Sequence, residues 1–141
     1  MTSASGNEAH LERYYAALKS GDPARMAAAV TDDLLIIYHD ATDVLPWSGT
    51  WRGADGLRGF LDAVAKNLTI DQVDMLSSSF VDDKAIVHLR GTWTATRTGR
   101  SLTAEVVNIF TFRDSLVAGY EVFPDSAAFG IALGVLLAEP S

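Results

Sequence analysis

Cysteine is absent from the 141 residues. That excludes disulfides, thiolate nucleophiles and Cys-ligated zinc, and makes a reducing cytoplasm the expected compartment. Basic residues are few and scattered: Lys plus Arg is 11 against 18 Asp plus Glu, a formal net charge of −7. A nucleic-acid or anionic-membrane surface needs a basic patch to release counterions, so neither partner is expected. Long apolar runs are missing too. The longest, Ile131 to Ala138, is interrupted by Gly134 and is far too short to span a bilayer. The first dozen residues hold no basic stretch followed by an apolar one, so no signal peptide is expected. His10, His39 and His88 show no HxxxH or HxH spacing, and there is no Gly-rich phosphate loop or nucleophilic-serine elbow. No metal or other cofactor is expected.

What remains is an ordinary globular balance, 48% hydrophobic and 21% charged, in a length that suits one domain over 1–141, with residues 1–7 expected to be flexible. Leu11, Tyr14, Tyr15 and Leu18 fall on one helical face. Ser20-Gly21-Asp22-Pro23 stops that helix and starts a short one over 23–30, through a left-handed glycine, an aspartate cap and a proline at the first helical position. Residues 34–38 read as a strand, 43–53 as a Pro/Gly-punctuated segment carrying Trp47 and Trp51, and 54–67 as a third helix. The period then changes to two. Strands at 69–80, 85–96, 102–113 and 116–123 are separated by turn residues and predict an antiparallel meander, followed by a short apolar helix over 126–138 capped by Asp125 or Ser126. The fold class is α+β: three helices plus a short C-terminal one, with a strongly curved antiparallel sheet wrapped around the long N-terminal helix. Such a cone has an open mouth, a natural place for a small apolar ligand.

The stretches Glu12 to Asp22, Thr31-Asp32-Asp33, Ser48 to Gly53, Phe110 to Asp114 and Tyr120 to Asp125 resemble the nuclear transport factor 2-like superfamily, and within it the SnoaL-like polyketide cyclases and the ketosteroid isomerases. The resemblance covers about residues 8–135. It specifies the fold well and the reaction poorly, because the superfamily holds isomerases, cyclases, dehydratases, epoxide hydrolases and plain binding modules. Tyr14 matches the tyrosine with which the isomerases stabilise an enolate oxygen. Their proton-shuttling aspartate falls on Tyr38, and their protonated aspartic acid on Asn108. Scytalone dehydratase resembles this chain in having a tyrosine at Tyr38 and an asparagine at Asn108. The limonene epoxide hydrolases resemble it in an acidic residue at Glu121.

Strand alternation places Leu34, Ile36, Tyr38 and Asp40 on one face. It does the same for Val106, Asn108, Phe110 and Phe112, for Leu89, Gly91, Trp93 and Ala95, and for Val117, Gly119, Glu121 and Phe123. The expected pocket wall is Ile36, Trp47, Trp51, Phe60, Met75, Trp93, Val106, Phe110 and Phe123, and the expected catalytic groups are Tyr14, Tyr38, Asp40, Asn108 and Glu121. The resemblance implies a cofactor-free enzyme of the isomerase or lyase type acting on a hydrophobic, carbonyl-bearing molecule by cyclisation, isomerisation or dehydration. Glu121 or Asp40 would move the proton, and Tyr14, Tyr38 and Asn108 would stabilise charge on oxygen. A non-catalytic binding or carrier module, or an epoxide-hydrolase-like enzyme, is the alternative. A homodimer is expected through an outer stripe of Val107, Ile109, Leu116, Ala118, Tyr120 and Val122.

Overall fold

A computed structural model describes residues 4–137, with side chains from residue 6 onward. Of the segment expected to be flexible, residues 1–3 lie outside the described residues, while Ala4 already opens the first helix, α1 (Ala4–Ser20). Asn7 is fully buried, its Nδ2 donating to the Asp82 carbonyl at 2.9 Å, which ties the start of α1 to a distant turn. The helix ends as its residue types dictate. Gly21 takes a φ of +67°, Asp22 accepts from the Ala24 amide at 3.0 Å, and Pro23 opens α2 (Pro23–Ala28).

One sheet follows, built from β1 (Val30–Tyr38), β2 (Gly49–Arg52), β3 (Leu68–Val81), β4 (Lys84–Ala95), β5 (Ser101–Arg113) and β6 (Leu116–Pro124), in the order β2-β1-β6-β5-β4-β3. The last four form the expected meander. The tryptophan-bearing segment, read as irregular, supplies β2, which pairs antiparallel with β1. Strand β1 runs parallel to β6, so the sheet is antiparallel at every pairing but this one. Helix α3 (Gly53–Asn67) buries Leu57 and Phe60. Helix α4 (Ser126–Leu133) is capped by Asp125 and stopped by a left-handed Gly134, short of the expected end at Ala138, which lies outside the described residues. The sheet wraps more than α1: α1 packs on β3, β4 and β6, α3 on β1 and β2, and α4 on β4 and β5. Among the described residues no helix is long and apolar enough to cross a membrane.

The concave face carries the core. On β4 the buried side is Ala85, Val87, Gly91, Trp93 and Ala95, and on β5 it is Ala104, Val106, Asn108, Phe110 and Phe112, both as alternation predicts. Strand β6 departs from it. Thr111 pairs with Gly119 but Phe112 with Val117, so Ala118 is one residue too many. A bulge of this kind reverses the parity of everything beyond it. Val117, before the bulge, faces the core as expected, but beyond it Tyr120 and Val122 face the core while Glu121 and Phe123 face out, the opposite of the expected register. The outer apolar stripe changes accordingly. Tyr120 and Val122 leave it, and Phe123, Val107, Ile109 and Ile86 line up across β6, β5 and β4 through the Val107–Phe123 and Ile86–Ile109 pairings.

Candidate functional site

The mouth of the cone opens into a cavity of about 220 Å³. Helix α1 contributes Tyr15 and Leu18, and α3 contributes Phe60, Leu61 and Val64. The sheet contributes Tyr38 from β1, Leu68, Ile70 and Val73 from β3, Leu89 and Trp93 from β4, Val106 and Asn108 from β5, and Tyr120 and Val122 from β6. Trp47, from the loop after β1, and Phe129, from α4, complete it. Wider grooves at Arg13 and Arg25 (about 300 Å³) and at Asp33 and Arg113 (about 480 Å³) are more open, and neither gathers aromatic walls. The cone is where an apolar molecule loses most contact with water.

Gly91 keeps this space open. The Trp93 indole lies back over it, so closely that a Cβ on Gly91 would collide with the ring. The indole then meets Phe129 edge-on at 5.0 Å between centroids. Ile70 and Val73, 59% and 43% exposed, form an apolar lip at the mouth.

Six lining residues carry a polar side-chain atom: Tyr15, Tyr38, Tyr120 and Asn108, and the indoles of Trp47 and Trp93. Burial pushes the Tyr15 hydroxyl up to about 12, against the nearby Asn108 side chain, which eases its ionisation. Burial likewise raises Tyr38, with the Trp47 indole acting against it and the Asp40 charge adding to it. Tyr120 is raised well above its ordinary value, first by burial and then by Tyr14, Tyr15 and Tyr38. The cavity thus offers phenols that stay protonated at neutral pH, donors rather than bases. Tyr15 Oη and Asn108 Oδ1 are buried with no other hydrogen-bond partner, and the Asn108 side chain lies near enough to Tyr15 to interact with its hydroxyl. Among the described residues no cluster of three His, Asp or Glu side chains is arranged to hold a metal ion.

Of the expected catalytic groups, Tyr38 and Asn108 line the cavity and the other three do not. Tyr14 closes the narrow end beneath it, edge-on to Phe110 at 5.5 Å. Its helical neighbour Tyr15 takes the place in the wall. Glu121 sits outside, where its Oε1 meets His39 Nε2 at 3.0 Å with both side chains about two-fifths exposed. His39 is stacked on Phe123, which the bulge has turned outward, at 4.3 Å between ring centroids.

Asp40 is spent on the chain. Its Oδ1 accepts from the Thr42 amide at 2.9 Å and the Thr42 hydroxyl at 2.5 Å, and its Oδ2 from the amides of Val44 and Leu45 at 2.9 and 2.8 Å. Desolvation works against its charge, but the Thr42 hydroxyl and the Leu45, Thr42 and Val44 amides outweigh it and hold the carboxyl below its ordinary value. An acid with a lowered pKa stabilises the fold above its unfolded pKa, and that contribution is lost as pH falls through the folded value. Asp40→Ala is therefore expected to cost about 2–3 kcal/mol at neutral pH, with the difference from the wild type shrinking below about pH 4. Urea unfolding at a series of pH values checks this, and a constant difference down to pH 3 would show that the charge does not hold the loop.

Of the expected wall, Trp47, Phe60, Trp93 and Val106 line the cavity. Ile36 and Phe110 are fully buried in the closed core behind it. Trp51 packs over Gly56 and Gly59 of α3 instead, with its Nε1 donating to the Trp47 carbonyl at 3.0 Å. Met75 is 51% exposed on β3, beyond the wall. Sequence reasoning also missed Tyr120, Val122 and Phe129. The first two follow from the bulge, and Gly119 inside a strand pattern was the available sign of it.

The SnoaL-like domain family matches residues 11–120. No curated protein matches the chain. Among solved structures, an NTF2-like protein from Burkholderia xenovorans is 20% identical with a TM-score of 0.83, over 94% of this chain and 99% of that one. A candidate SnoaL-like polyketide cyclase from a Jannaschia species is 16% identical with a TM-score of 0.76, over 94% of each chain. A protein with a ketosteroid isomerase-like fold from Catenulispora acidiphila, in complex with trimethylamine, is 10% identical with a TM-score of 0.70, over 90% and 93%. At these identities the likeness carries the fold.

Proposed function

Because the chain belongs to the SnoaL-like domain family, we propose that its cone binds a small, largely apolar molecule and holds that molecule's polar oxygen against Tyr15 and Asn108. The observation that carries this reading is an aromatic cavity of about 220 Å³ whose largely apolar wall includes Tyr15 and Asn108. A carbonyl bound there would have its oxygen polarised by the Tyr15 hydroxyl, the charge-stabilising half of cyclase or isomerase chemistry. The other half needs a base. A cyclase, isomerase or dehydratase using Glu121 or Asp40, or epoxide-hydrolase chemistry at Glu121, requires those carboxylates at the cavity. Glu121 is engaged by His39 on the outer face, and Asp40 by its own loop. Binding, as by a carrier or sensor, is therefore the function the geometry supports best.

The test is a titration of the full chain with ethylbenzene, followed by backbone amide NMR. About eight carbon atoms at typical ligand efficiencies give roughly 4–6 kcal/mol, a Kd of about 0.05–1 mM. Shifts should concentrate on the residues around Asn108 and Trp93. Leu89→Trp places a large ring at a half-buried position of the wall and should abolish binding while leaving the melting temperature nearly unchanged. Shifts scattered over the outer face, or full binding by Leu89→Trp, would place the ligand elsewhere.

A further inference from the structure

We infer that Gly91 is the size-selecting residue of the cone: by leaving a bay for the Trp93 indole, it sets how long a molecule the cavity admits. This rests on the reading of the cone as a binding site and goes further, to what decides its specificity. Gly91 lies in the middle of β4, paired with Val73 of β3 on one side and Ala104 of β5 on the other. Glycine inside a strand weakens it, so its presence there needs a reason. Conformation does not supply one. Gly91 is not among the glycines with positive φ, and its strand backbone suits any residue. Space does supply one. The atoms that a Cβ at position 91 would strike are the outer carbons of the Trp93 six-membered ring, Cη2, Cζ2 and Cζ3. Ala104, the partner of Gly91 across the ladder, is also small and buried, so two minimal residues stand side by side on the concave face.

What filling the bay would do follows from what can move. Pairing with strands on both sides holds the Gly91 backbone, whereas the indole is the free end of a side chain that turns about its own torsions. A methyl group at 91 therefore displaces the ring, by roughly an ångström, before ordinary contact is restored. Phe129 stands edge-on to the indole at 5.0 Å, and the unfilled space beside it is the cavity. The displaced ring takes its room from a volume of only about 220 Å³. Packed interiors yield little, so a ligand feels a shift of that size. The Gly91–Trp93 pair thus reads length: molecules that reach the indole are excluded first, and shorter ones last.

The probes are benzene, ethylbenzene and n-butylbenzene, titrated by NMR into the full chain. The wild type should prefer ethylbenzene to benzene by about tenfold, the gain from burying two more carbons. In Gly91→Ala that ratio should fall to about threefold or less, because the longer molecule loses the room it needs. Adding Trp93→Phe to Gly91→Ala removes the outer ring carbons that the methyl group would strike, and should return the ratio to about tenfold. If Gly91→Ala fails to fold, Trp93→Phe alone decides the matter: with those carbons gone, n-butylbenzene should gain at least about fivefold relative to ethylbenzene. An unchanged ratio in folded Gly91→Ala, a loss that Trp93→Phe does not reverse, or no gain for n-butylbenzene would overturn Gly91 as the size selector while leaving the cone as the site. No binding of any probe to the wild type would overturn the cone itself, and the selector with it.

Discussion

Trp47→Ala is expected to lose about 3–5 kcal/mol of stability, which for a chain of this size lowers the melting temperature by roughly 6–20 °C. The side chain is 1% exposed although it comes from a loop between two strands. Its indole stands edge-on to Tyr38 at 6.0 Å and to Phe129 at 6.1 Å, joining β1 to α4 across the wide end of the cone. Its carbonyl takes the Trp51 Nε1 proton, which holds β2 in place over α3. Truncation removes a large apolar surface and leaves a hole that the stiff rings around it cannot fill. The hole would also merge with the ligand cavity, so the same variant should lose discrimination among small ligands. Chemical denaturation measures the first effect. A loss below 1 kcal/mol would mean that the loop repacks freely and that Trp47 does not organise the wide end.

The loop that delivers Trp47 marks the boundary of what could be read from the sequence. The α1–α2 junction was legible because every step in it is local chemistry: Gly21 for a positive φ, Asp22 for a free amide, Pro23 for a fixed φ. Strands β4 and β5 were legible because their alternation runs unbroken from Ala85 to Ala95 and from Ala104 to Phe112. The site was less so, and for three distinct reasons. Tyr14 and Tyr15 are only about 100° apart on one helical face, so spacing puts both inside but cannot say which one reaches the cavity. Trp47 and Trp51 share a segment with no regular period, and their positions depend on four hydrogen bonds to Asp40 and on the glycines of α3. Glu121 and Phe123 were placed by counting in twos along a strand that contains an extra residue, Ala118. That bulge arises from β6 pairing with β5 on one side and β1 on the other, partners far apart in the chain. A residue's type announces what it can do, and long-range pairing decides which way it points.

Asn108→Asp puts the most demand on this picture, because it places a carboxyl where the cavity has no charge to meet it. Tyr15, Tyr38 and Tyr120 and the indoles of Trp47 and Trp93 are the polar neighbours in the wall, and no lysine, arginine or histidine lines it. Burial raises the pKa of such a carboxyl, by as much as 3–5 pH units when nothing compensates. A raised pKa means that the variant keeps its stability below the ordinary aspartate value of about 3.9 and loses it as pH rises toward the folded value. Between about pH 4 and 7 the loss grows by at most 1.36 kcal/mol per pH unit, to about 3–4 kcal/mol at neutrality. Urea unfolding of variant and wild type at pH 4.5 and pH 7 reads this difference directly. A difference of the same size at both pH values would show that water or a counter-charge reaches position 108, and that the inner end of the cone is not dry.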